Sequence, residues 1–130
     1  MGSWPRYLSP MHELSVAEGV LDIVRQYVAP ERAAAVRGVR VKVGVLSGVM
    51  PESLDFSFSA IVADTPWHHA RLEIERVPAV CRCDACTRSF EIEEISFLCP
   101  HCDSTAIHLM SGQELQVMTI DVEDEGDESR

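Results

Sequence analysis

The spacing of apolar positions changes along the chain, and each change marks an element. Val16, Val20, Ile23, Val24, Tyr27 and Val28 recur three or four residues apart, the stripe of a helix with one buried face. Ser15 and Glu18 have capping-box spacing, although the helix can begin one turn earlier. Pro30 stops it, so a first helix is predicted to about Ala29. The period then falls to two: Val39, Val41, Val43 and Val45 alternate with Arg40, Lys42 and Gly44, the pattern of a half-buried strand. Gly48 and Pro51 mark the turn after it. "PESLDFSFSAIVADTP" returns to helical spacing, with Pro51 suited to its first turn and Leu54, Phe58, Ile61 and Val62 on one face. "ARLEIERV" is the next strand, with Leu72 and Ile74 facing inward between Arg71, Glu73 and Glu75.

After Pro78 the periodicity stops, and Val80 to about His108 holds all five cysteines. "QELQVMTIDV" resumes as a last strand, with Leu115, Val117 and Ile120 apolar. The fold class expected is α+β, with two helices packed on a small three-stranded sheet and a zinc-ribbon module inserted before the last strand. The expected division is 11–78 plus 109–123 for the body and 79–108 for the insertion. Residues 1–10, "MGSWPRYLSP", carry two prolines and no period. They read as a flexible extension that translation from Met11 would omit.

Composition narrows the class. At 130 residues the chain suits one modest domain with a satellite module. No apolar run approaches the roughly 18 residues of a membrane span, and the N-terminus lacks a secretory layout. A reducing, cytoplasmic setting is therefore expected. The net charge of −10 argues against nucleic acid and anionic membrane as partners. Much of that charge lies in "DVEDEGDESR", whose residues 124–130 read as a disordered, solvating tail.

Four cysteines form two C-x-x-C pairs, Cys83 with Cys86 and Cys99 with Cys102, twelve residues apart. Each pair can place two sulfurs on one side of an ion, and two pairs close a tetrahedral shell with no position for water or substrate. A segment of about 30 residues cannot bury enough apolar surface to fold alone, so a structural zinc is the expected organiser. Iron would suit the same four thiolates. Cys81 precedes the first pair as "CRC" and could replace Cys83, although Cys83 completes the turn. His101 and His108 read as surface or supporting residues, and His68 and His69 of "WHH" as a polar loop.

The order of these pieces then matters. "MHELSVAEGVLDIV", "VRVKVGVLSGVMPESLDFSF", "CRCDAC", "FLCPHCDS" and "GQELQVMTIDVE" follow one another. Together they resemble the HypA/HybF family of hydrogenase-maturation nickel metallochaperones, from Met11 to about Glu123. The resemblance implies a nickel(II) site at Met11, His12 and Glu13, with the His12 imidazole and the Met11 backbone as ligands. It implies zinc at Cys83, Cys86, Cys99 and Cys102. The implied partners are the GTPase HypB and the large subunit of nickel–iron hydrogenase, and a homodimer is left open. Such proteins begin at the methionine of the motif, whose free amine can join the nickel shell. Here ten residues precede Met11, so its nitrogen is an amide unless translation begins there.

No phosphate-binding G-x-x-x-x-G-K-[ST] and no catalytic triad stands out. The reading is a carrier that is not an enzyme, with a zinc-ribbon protein adaptor without nickel function as the alternative. A thiol redox protein using Cys81 is the third.

Overall fold

A computed structural model describes residues 6–7, 13–93 and 98–123 of the chain. Met11, His12 and the 124–130 tail lie outside the described residues. Helix α1 spans Glu13–Tyr27 and turns Val16, Ala17, Val20, Leu21, Ile23 and Val24 inward. Pro30 ends it, as the sequence predicts, and also opens a 3-10 helix over Pro30–Ala35 that buries Ala33 and Ala35. Strand β2 follows at Val36–Gly44. It stops one residue before the expected Val45, because a turn begins there: Ser47 N–H donates to the Gly44 carbonyl at 3.0 Å. Helix α2 (Pro51–Val62) buries Leu54, Phe58 and Val62, while Ile61 packs half-buried against the same core. Strand β3 is Arg71–Val77.

These elements form one layer of helix on one layer of sheet. β2 pairs in parallel with β3, which the α2 crossover permits. On its other side β2 pairs antiparallel with the last strand, β7 (Leu115–Val122). Val39, Val41 and Val43 are fully buried beneath α1 and α2, together with Leu115 and Val117. The register between β2 and β7 shifts by one residue: Arg40 lies opposite Thr119, and Val41 opposite Val117. That shift resets the alternation of β7. Val117 and Ile120, three residues apart, therefore both lie across from buried valines, Val41 and Val39.

Among the described residues the sheet has four strands, not the three expected: Arg6–Tyr7 (β1) adds to its edge, giving the order β1-β7-β2-β3. β1 is Arg6–Tyr7, within the stretch read as a flexible extension, and it pairs antiparallel with Gln116 and Val117 of β7. Backbone pairing along an otherwise open edge is the physical reason, since that needs no apolar alternation.

A second sheet, β5-β4-β6, carries the cysteines. β4 is Ala79–Cys83, β5 Ser89–Ile92 and β6 Ile107–Ser111. It runs three residues beyond the expected return at 108. β6 must reach the base of β4, where Ser111 pairs with Val80 and its hydroxyl donates to the Pro78 carbonyl at 2.8 Å.

The two sheets meet at a close backbone crossing. Gly44 N–H donates to the Glu114 carbonyl at 2.7 Å, Leu46 N–H to the Gly112 carbonyl at 2.7 Å, and Val45 N–H to the Val77 carbonyl at 3.0 Å. Gly112 has φ of 119°, and a Cβ there would lie 2.6 Å from Ala79. A side chain on Gly44 would overlap the Gly112 carbonyl. Only glycine fits either position.

Candidate metal centre

The two C-x-x-C segments fold into copies of one turn. In the first, Cys83 N–H donates to the Arg88 carbonyl at 2.9 Å and Thr87 N–H to the Cys83 carbonyl at 2.8 Å. In the second, Cys99 N–H donates to the Ser104 carbonyl at 2.9 Å and Asp103 N–H to the Cys99 carbonyl at 2.8 Å. Thr87 and Asp103 occupy the same place in each turn and share a left-handed φ of 62°. That conformation is uncommon for any residue with a side chain and is most strained for the β-branched Thr87.

The turns face each other. Cys83, Cys86, Cys99 and Cys102 have sulfurs that all lie within 4.8 Å of one another. Cys83 Sγ is 3.6 Å from Cys102 Sγ, and Cys86 Sγ is 3.7 Å from Cys99 Sγ. A tetrahedron with metal–sulfur bonds of about 2.3 Å has edges of about 3.8 Å. The donor set and its spacing thus fit a zinc ion. Cys83 and Cys99 are buried, Cys86 is half-buried and Cys102 is exposed. His101 N–H also donates to Cys99 Sγ at 3.3 Å, the kind of backbone donor that supports a thiolate.

Electrostatics separate the four sulfurs. The Cys86 backbone N–H, against the opposing effect of burial and with help from Ala85 and the Cys102 and Cys86 thiols, lowers Cys83 to about 7. The Ser104 N–H lowers Cys102, but burial and its hydrogen bonds with Cys83, Cys99 and Cys86 outweigh this and push it up to about 12. The two shifts run in opposite directions, so in the metal-free protein a proton is held more firmly on Cys102 than on Cys83. A divalent cation takes the place of such protons.

The fifth cysteine stands apart from this cluster. Cys81 is buried within β4, opposite Phe90 on one side and Leu109 on the other. His108 Nε2 lies 2.7 Å from Asp84 Oδ2, and both side chains are well exposed. His101 Nδ1 lies 3.3 Å from Arg88 Nη1, with its ring edge-on to Phe90. His68 Nδ1 donates to the Thr65 carbonyl at 2.8 Å, and its ring lies against that of His69. Among the described residues, the four-cysteine group is the one cluster of three or more candidate ligands.

Of the Met11, His12 and Glu13 motif, Glu13 is described. It is the first residue of α1, and its Oε2 accepts the Met50 N–H at 2.9 Å. Nothing in the local sequence signals that contact, because its partners are 37 positions apart.

A four-thiolate double turn inserted into a small helix-on-sheet body defines a class of protein with a cysteine cluster able to hold a metal ion. Residues 11–122 match the family described as "Hydrogenase/urease nickel incorporation, metallochaperone, hypA", and the chain belongs to that family. "Hydrogenase maturation factor HypA" of Chlorobaculum parvum is 44% identical over 113 residues, covering 87% of this chain and all of the relative. The protein of the same name from Streptomyces avermitilis is 42% identical over 118 residues, covering 88% of each. The solution structure of the nickel metallochaperone HypA from Helicobacter pylori shares the fold, with a TM-score of 0.58 at 20% identity. That superposition covers 88% of this chain and all of the other. The family is one of hydrogenase maturation factors and nickel metallochaperones.

Proposed function

We propose that this protein carries nickel(II) to the large subunit of a nickel–iron hydrogenase during maturation, in the cytoplasm and with the GTPase HypB as partner. The observation that supports this best is the family match, which begins at Met11 and takes in the Met-His-Glu motif. The His12 imidazole is the central ligand, joined by backbone nitrogen at Met11 and by Glu13. Imidazole and backbone nitrogen suit nickel(II) in tetragonal or square-planar geometry. Zinc occupies the Cys83, Cys86, Cys99 and Cys102 cluster permanently and holds the inserted module in shape. Nucleotide hydrolysis belongs to the partner, because the chain has no phosphate-binding Gly-Lys loop.

Two experiments test the proposal. In cells lacking their own carrier, the wild-type chain restores hydrogenase activity and His12→Ala does not. Equal restoration by both would refute nickel carriage through His12. Nickel titration of chains beginning at Met1 and at Met11 separates an amide from an amine at the motif. Tighter binding by the shorter chain is expected, because an amide must lose a proton before it ligates.

A further inference from the structure

The last strand of the main sheet has one side paired along its length and one side nearly open. β2 runs along β7 on the inner side. On the outer side, among the described residues, Gln116 and Val117 are covered by Tyr7 and Arg6 of β1. An open edge presents unpaired N–H and C=O groups to any extended chain that meets it, and bulges or charges are what usually guard it. The far half of β7 has both. The register shift beside Arg40 leaves Met118 as an extra residue, and Asp121 further on is exposed. The near half, Leu115 to Val117, has neither, and that is where β1 lies.

Gln116 says what would fit this edge. It is a polar side chain only 7% exposed, and among the described residues its Oε1 has no hydrogen-bond partner. A buried acceptor without a donor is costly. A glutamine amide carries both an acceptor and two donors, so a second Gln116 beside the first would supply what is missing. Antiparallel pairing of two β7 strands about a two-fold axis at Gln116 does this. It sets the two Gln116 side chains next to each other on one face, and Leu115 of each copy across from Val117 of the other. The near half of the edge is therefore self-complementary, as a two-fold contact requires.

We propose that the Leu115 to Val117 edge of β7 is a contact surface for a second copy of this chain, and that Arg6–Tyr7 covers it in cis and keeps the full chain monomeric. The family match begins at Met11, so the covering strand lies outside the matched residues. A chain translated from Met11 has the edge bare. The translation start thus sets the oligomeric state, independently of nickel.

The test is sedimentation equilibrium of zinc-loaded chains under reducing conditions, over a wide range of concentration. The chain beginning at Met1 should stay monomeric, and the chain beginning at Met11 should dimerise as its concentration rises. A full-length double variant, Arg6→Pro with Tyr7→Pro, keeps the length of the chain but removes the N–H groups of β1. It should dimerise as the shorter chain does. In the shorter chain Gln116→Glu sets two carboxylates side by side and should weaken the dimer about tenfold or more. Circular dichroism checks that each variant is folded. Amide hydrogen exchange of the unsubstituted shorter chain is the second readout, and dimerisation should add protection within Leu115 to Val117. The proposal is overturned if the folded Met11 chain stays monomeric, or if the full chain dimerises as tightly as the shorter one. It is equally overturned if the folded double-proline variant stays monomeric, if folded Gln116→Glu dimerises unchanged, or if the added protection falls only elsewhere.

Discussion

The two halves of this molecule are held together by different physics. In the body, α1, α2 and the main sheet enclose a continuous cluster that includes Leu54, Phe58 and eight fully buried valines of the sheet and first helix, Val16, Val20, Val24, Val36, Val39, Val41, Val43 and Val117. In the region from Ala79 to Ser111, the buried apolar residues among those described are Ala79, Cys81, Cys83 and Cys99. Three of those four are cysteines. Area removed from water can hold the body, but it cannot hold the inserted sheet, which has almost none to remove. The lesson is that the second sheet is arranged around a four-thiolate cluster that could hold a metal ion, and is joined to the first by a close glycine crossing and not by a shared core.

The largest effect should come from attacking the ion. Cys99→Ser, or removal of zinc by a strong chelator, forfeits a metal contribution of about 10–16 kcal/mol to a segment with no alternative core. Amide resonances of residues in 79–111 should collapse to random-coil positions while the helical circular dichroism of α1 and α2 remains. Loss of the helical signal as well would mean that the halves are one cooperative unit. The mirror experiment attacks the body. Phe58 is 1% exposed at the centre of the helix–sheet contact, and Phe58→Ala should cost about 3–5 kcal/mol by chemical denaturation. Zinc stoichiometry of the folded fraction should not change.

Acid sharpens the same contrast. Cys102, pushed up to about 12, keeps its proton through the neutral range in the metal-free protein, so zinc must displace it. Affinity therefore falls as pH falls, by about tenfold or more per unit. Once pH drops below about 7, Cys83 also takes up a proton and adds about another factor of ten per unit. Chelator competition at several pH values between about 6 and 8 measures the slope, and a flat profile would contradict the thiolate site. The smallest expected effect is a gain. Thr87 holds a left-handed φ of 62°, and Thr87→Gly should relieve that strain and raise module stability by about 1 kcal/mol. Slower zinc loss to a chelator is the readout.

Much of this architecture was legible because it follows local rules. Val16 to Val24 has helical period, Val39 to Val43 has strand period, and the paired C-x-x-C segments place four sulfurs together without regard to the rest of the chain. What was not legible depends on distant backbone. Arg6–Tyr7 sits between two prolines with no alternation to read, and it becomes a strand because β7 offers an unpaired edge. The shift beside Arg40 resets the parity of β7, which a strict period of two cannot anticipate. Glu13 meets Met50 only once α1 and α2 are packed side by side. The chemistry of the Met-His-Glu motif is invisible to periodicity altogether. A histidine before a helix has many plain roles, and the family resemblance is what singled this one out.

The most direct measurement of the central claim is the metal content of the zinc-loaded protein after nickel titration, for the wild-type chain and for His12→Ala. The account predicts one zinc retained in both and one nickel bound per wild-type chain, with nickel lost from the variant. Nickel bound equally by the two, or nickel taken up only as zinc leaves the cysteines, would contradict it.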